Sequence, residues 1–245
     1  MNVLFLGKDK RYGVLIDYLS KKYNVECIGY ENRKQGSLEL DKYDMIILPM
    51  YGIKNGKIDD IIISQELIDK ISSKCIIYTG KVPNELKDKN IISFMEDEDI
   101  IKENNQITVD GILDYIKNIK KDRICILGYG RIGKELYKCL KDDYQVVLGV
   151  NKIPSHKEVF FFTNNFKALK SNLENSDLII NTVPKNIIKE EMILNVNGHI
   201  LDVASYPYGI DQHLVNKYSL NYYLYSSIPS KYDPERAGKI LLKKF

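Results

Sequence analysis

The chain has 245 residues, 44% of them hydrophobic and 28% charged, which excludes a disordered chain or a disulfide scaffold. Its formal net charge is +3, and the stretch from Lys231 onward, with five bases against two acids, accounts for all of it. The rest carries no basic stripe for nucleic acid, and no run approaches the ~18 apolar residues of a membrane span.

In chain order, short apolar, largely β-branched runs at 3–6, 25–28, 45–48, 75–78 and 91–94 predict strands, with helices over 12–22 and 66–72. The opening run reads as a first strand rather than a targeting segment. A polar, acidic stretch follows at 96–105. A helix is then expected over 108–121, where Val109, Ile112, Ile116 and Ile119 recur at helical spacing. A second set of strands falls at 123–127, 145–150, 158–162, 178–181, 200–203 and 222–225, with helices over 132–140 and 166–175. Such alternation defines an α/β fold: two Rossmann-like domains with mainly parallel sheets. Residues 1–107 are expected to form a flavodoxin- or Rossmann-like substrate domain and 108–234 an NADP-binding Rossmann domain. A closing helix over 235–245 could return to the first domain. Cys27, Cys75, Cys125 and Cys139 lie far apart, without the spacing of a zinc site, so no metal is expected. The first three sit in apolar runs, as reduced thiols of a cytoplasmic protein do.

The strongest signal is Gly128-Tyr129-Gly130-Arg131-Ile132-Gly133, which follows a predicted strand and opens a predicted helix. In that context Gly128 permits a tight turn, Gly130 lets the backbone approach a pyrophosphate, and Gly133 lets helix and strand pack closely. Backbone N–H groups through Arg131 and Ile132 would hold the phosphates at the helix N-terminus. The nucleoside-triphosphate loop is disfavoured, because Glu135 stands where a magnesium-binding Ser or Thr belongs. The next strand ends at Asn151-Lys152, followed by Ser155, His156 and Lys157. An NAD site usually places a carboxylate there for the ribose hydroxyls; Asn151 and Lys152 favour the 2′-phosphate of NADP, with NAD the alternative. Thr182, Pro184 and Ser205 follow later strands and are expected near the nicotinamide half. In the first domain, Gly7 and Gly13 are too far apart for a second fingerprint. Arg11 could fork onto a carboxylate or pair with Asp9 or Glu31. Among three histidines, none is paired with a carboxylate near a strand end.

The glycine motif, together with Asn181-Thr182-Val183-Pro184, Asp202-Val203-Ala204-Ser205 and the closing Pro234-Glu235-Arg236-Ala237-Gly238, resembles the dipicolinate synthase A-chain family. Gly7, Asp9 and Arg11, Leu48-Pro49 and Gly52, Thr79-Gly80, and Thr108-Val109-Asp110-Gly111 extend the resemblance along the chain. It implies oxidation of dihydrodipicolinate to dipicolinate with NADP, alongside a flavoprotein-like B subunit, in sporulation. The chain departs from the family in being shorter, mainly in the first domain. It also has Tyr51 where a small hydroxyl residue is expected, Tyr206 where Arg is expected, and no glycines in 226–230. A small dicarboxylate substrate calls for cations: Arg11 and Arg131 first, then Lys185 and Lys231. Ser205 and Tyr206 are the candidates for catalysis. Another hydroxy-acid or imine dehydrogenase, or a weakly active cofactor-binding partner subunit, is the alternative, and a homo-oligomer is left open.

Overall fold

Residues 1–31, 38–153 and 159–245 are described by a computed structural model. They divide into two units, Met1–Ile107 with Pro229–Phe245, and Thr108–Ile228.

In the first unit, β1 (Asn2–Leu6), β2 (Asn24–Ile28), β3 (Met45–Ile47), β6 (Ile76–Thr79) and β7 (Asn90–Ser93) form a parallel sheet in the order β2-β1-β3-β6-β7. Both faces are covered, so its strands read as continuous apolar runs. Val3 and Phe5 face a core with Tyr12, Leu15 and Leu19 of α1 (Tyr12–Leu19). Leu4 and Leu6 face the opposite core with Ile46, Ile77 and Ile68 of α2 (Gln65–Asp69). A hairpin, β4 (Lys57–Ile58) with β5 (Ile61–Ile62), stands where no strand is expected from the sequence. Asn55 and Gly56, both at positive φ, make the preceding turn between Lys54 and Lys57, and Asn-Gly is the sequence signal for such a turn.

The helix expected at 108 begins ten residues earlier, as α3 (Glu98–Ile116), and the division between units falls inside it. The acidic stretch is its first half. Asp97 Oδ1 accepts the N–H groups of Asp99 and Ile100 at 3.0 and 3.1 Å, and Glu98 and Asp99 complement the helix dipole.

In the second unit, β8 (Arg123–Leu127), β9 (Gln145–Val150), β10 (Phe160–Phe162), β11 (Leu178–Asn181), β12 (His199–Asp202) and β13 (Tyr222–Leu224) form a six-stranded parallel sheet. The order β10-β9-β8-β11-β12-β13 is that of doubly wound dinucleotide-binding folds, with its switch point beside β8. Helix α4 (Arg131–Leu140) buries Leu136 and Leu140 on one face of the sheet with Val109, Ile112 and Ile116 of α3. Helix α5 (Phe166–Glu174) buries Leu169 and Leu173 on the other. Shorter helices α6 (Glu190–Ile193), α7 (Gln212–Lys217) and α8 (Ile228–Tyr232) follow.

The chain re-enters the first unit at Pro229, ahead of the expected residue 235. There α9 (Pro234–Leu241) packs on α1, with Gly238 against the Arg11 carbonyl and Val14. Phe245 packs on Tyr78 with ring centroids 4.5 Å apart. Among the described residues, no helix is long and apolar enough to cross a membrane.

Candidate dinucleotide-binding site

The fingerprint glycines have three different surroundings. Gly128 follows β8 at φ +99°, and a Cβ there would strike the Thr182 hydroxyl and lie 2.9 Å from Val183 Cγ2. A Cβ on Gly133, in the first turn of α4, would run into the Gly128 carbonyl. These two glycines allow turn and helix to close on the sheet. Gly130, the N-cap of α4, is the exception: nothing lies within 4 Å of where its Cβ would be. Backbone is thus open to a ligand beside a helix N-terminus that carries no acidic residue in its first turn. Ile132 packs against the core. Glu135 pairs with Lys138 at 2.8 Å, and the Lys134 ammonium lies 5.4 Å from the Tyr129 ring centroid.

At the end of β9, Gly149 O accepts the Gly128 N–H at 2.8 Å. Asn151 and Lys152 are exposed, and Asn151 Oδ1 accepts the Thr163 hydroxyl at 2.5 Å. Ser155, His156 and Lys157 lie outside the described residues.

After β11, Thr182 is committed to the turn. Its hydroxyl and its N–H donate to Leu127 O at 2.8 and 2.9 Å, which fastens β11 to the end of β8. Thr182 is expected near the nicotinamide half, and here its hydroxyl serves the turn between the two strands. Pro184, Lys185, Ser205 and Tyr206 are exposed.

The residue that sequence reasoning missed is Asp202, fully buried at the end of β12 and in register with Asn181 of β11. Its carboxylate accepts hydrogen bonds from Asn181 Nδ2 (2.8 Å), Ala204 N (3.1 Å), Gly209 N (2.7 Å) and the Tyr222 hydroxyl (3.2 Å). Burial pushes its pKa up, and the four donors oppose that shift. Burial and the Asp202 charge push the Tyr222 hydroxyl up as well.

In the first unit, Arg11 departs from its expected role. Its Nε and Nη2 donate to the two oxygens of Asp9 at 2.8 and 2.5 Å, and the side chains are only 8% and 6% exposed. The fork expected for a substrate carboxylate is filled by the chain's own carboxylate, and the competing ion pair is buried rather than on the surface. Gly7 differs from Gly130: a Cβ there would lie 2.8–2.9 Å from Ile58, Asp59 and Pro49. The hairpin covers this turn, with Asp59 accepting the Lys8 N–H (2.7 Å) and the Tyr51 hydroxyl (2.8 Å). Thr79 donates to Lys81 O at 3.0 Å and is buried. Lys231 is exposed on α8, and Arg131 is exposed at the start of α4. His199 opens β12, at the opposite end of the strand from Asp202, and His213 lies on α7.

Fold and glycine geometry together are those of a dinucleotide-binding domain in the second unit. Residues 94–197 match the NAD binding domain of D-isomer specific 2-hydroxyacid dehydrogenases. Residues 2–90 match the N-terminal domain of the dipicolinate synthase A chain. Identity to the dipicolinate synthase A chain of Bacillus subtilis (strain 168) is 22%, over 98% of this chain and 93% of that protein. The crystal structure of the corresponding A chain from Bacillus halodurans aligns with a TM-score of 0.78 at 22% identity, covering 99% of this chain and 95% of that one. A 2-hydroxyacid dehydrogenase from Ketogulonicigenium vulgare Y25 aligns at 0.63 and 13% identity, covering 99% and 92%. The resemblance to the dipicolinate synthase A-chain family extends over the whole chain, and its second unit is of the oxidoreductase kind.

Proposed function

We propose that the chain is an NADP-dependent oxidoreductase subunit that converts dihydrodipicolinate to dipicolinate, working with a flavoprotein-like B subunit. The observation that carries this reading is the open backbone at Gly130, between a turn and a helix that Gly128 and Gly133 close tightly. The bound dinucleotide supplies the hydride acceptor, and loss of one hydride and one proton makes the substrate ring aromatic. Backbone N–H groups at the start of α4 hold the pyrophosphate. With Asn151 Oδ1 occupied by the Thr163 hydroxyl, the amide nitrogen is the group left to donate to a 2′-phosphate, beside the Lys152 ammonium. Arg131 and Lys185, both in the second unit, are the cations for the substrate carboxylates. Arg11 drops out, being forked on Asp9. Ser205 and Tyr206 follow β12 at the carboxyl edge of the sheet, where ligands of such folds sit. A hydroxy-acid dehydrogenase would want a His–carboxylate pair there, and His199 lies at the opposite end of β12.

Calorimetric titration tests the cofactor assignment. NADP is expected to bind more tightly than NAD, and Asn151→Asp to shift the ratio toward NAD by about 10-fold or more, the worth of one charge-assisted hydrogen bond. Equal affinities in the wild type contradict the assignment. Formation of dipicolinate from dihydrodipicolinate tests the substrate, and its absence with NADP and the partner subunit both present would sink that part.

A further inference from the structure

The segment after β12 is fixed far more firmly than an exposed loop needs to be. Asp202 accepts the N–H groups at both its ends, from Ala204 and Gly209. In the orientation its neighbours require, the Asn186 amide donates to the carbonyls of Pro207 (2.7 Å) and Tyr208 (3.0 Å). The Tyr208 N–H donates to Ser205 O at 3.0 Å. A Cβ on Gly209 would strike the Asn181 amide, so the end of the loop has no room to shift. Tyr208 is held at φ +66°, a conformation that persists in a non-glycine residue only where its surroundings enforce it.

This rigid segment holds Tyr206 out into solvent. The residue is 78% exposed, more than any other large apolar side chain among the described residues. Its ring meets Tyr208 at 90°, with centroids 5.6 Å apart, so Tyr208 does not stack over it. Among the described residues its hydroxyl has no hydrogen-bond partner. What the loop presents is an aromatic ring carried on a firmly held backbone, at the edge of the sheet where the nicotinamide half of a dinucleotide is expected.

We propose that Tyr206 is a stacking platform for a pyridine-type ring, either the nicotinamide or the ring of the substrate, and that Asn186 and Asp202 are positioning residues that orient it. The inference rests on the dehydrogenase reading and deepens it by assigning Tyr206 recognition of a planar ring instead of proton transfer. Stacking contributes more when the backbone that carries the ring is already held, because less freedom is then lost on binding.

The test is calorimetric titration of wild type, Tyr206→Phe and Tyr206→Ala with NADP, with 2′-phospho-ADP-ribose, and with dipicolinate added to the NADP-loaded chain. Phe is expected to bind all three as wild type does. Ala is expected to weaken one ring-bearing ligand by about 10-fold. Weaker NADP with unchanged 2′-phospho-ADP-ribose identifies the nicotinamide as the stacked ring; weaker dipicolinate with unchanged NADP identifies the substrate ring. Asn186→Ala is expected to weaken the same ligand, and to add nothing in the Tyr206→Ala background, since it acts through that ring. Additive effects overturn the positioning role. A wild type that binds NADP and dipicolinate, with a Tyr206→Ala variant that binds them equally well, overturns the inference alone. A wild type that binds neither overturns the dehydrogenase reading and the inference with it.

Discussion

Gly130→Val is expected to abolish NADP binding while melting cooperatively near the wild-type temperature, whereas Gly133→Val is expected to lower the melting temperature by several degrees. The two glycines stand three residues apart in one motif, yet their surroundings are opposite. At Gly130 the backbone is extended, at φ −80°, and nothing lies within 4 Å of the added Cβ, so the added carbon displaces no protein atom, and the fold bears only the modest cost of valine as an N-cap residue. Each charge-assisted bond lost from the pyrophosphate weakens binding by about 10- to 100-fold, and a branched side chain at the point of approach removes more than one. At Gly133 the added carbon would strike the Gly128 carbonyl and lie 3.0 Å from its carbon. Helix and turn would have to separate, at roughly 1–3 kcal/mol or more. Thermal melts with calorimetry on both variants separate the roles. Normal NADP binding by Gly130→Val would mean that the dinucleotide does not cross this turn.

Arg11→Ala is expected to destabilise the first unit by about 3–5 kcal/mol, the usual cost of leaving one member of a buried ion pair without its partner. Both side chains are less than a tenth exposed, and Asp9 would keep only the N–H of residue 11, which it accepts at 3.1 Å, as compensation. The double variant Asp9→Ala/Arg11→Ala should recover part of the loss, since no buried charge then remains. Urea denaturation measures all three. Unchanged stability in the single variant, with weaker substrate use, would restore the reading of Arg11 as a substrate ligand.

The difference between these residues also explains what the sequence makes legible. The roles of Gly128, Gly130 and Gly133 depend on neighbours within a few positions, so spacing alone conveys them. The limits of β8 and β9 are legible because both are continuous apolar runs ended by glycine or polar residues. Arg11 admits two readings because burial decides between them, and burial is set by the folded unit, in which α9, more than two hundred residues later, packs against the Arg11 carbonyl. Thr182 reads as a ligand contact because its true acceptor, Leu127 O, lies on another strand. Asp202 escapes notice for the same reason: its donors come from the end of β11, the loop after β12, and β13. The first half of α3 is hidden by its charge, although Ile100, Ile101 and Ile107 are all buried. The hairpin is hidden by the brevity of its strands, and Asn55-Gly56 is the signal that could have revealed it.

The central claim is that the second unit binds NADP across the Gly128–Gly133 turn and that the chain uses it to oxidise a dihydropyridine dicarboxylate. The most direct test follows the absorbance of reduced nicotinamide when dihydrodipicolinate is added to NADP and the purified chain, with and without a B subunit, using Gly130→Val as the control. NADPH appearing in step with dipicolinate, and abolished by Gly130→Val, is the predicted result. Dipicolinate formed at the same rate without NADP, or NADPH formed equally well by the variant, would contradict the claim.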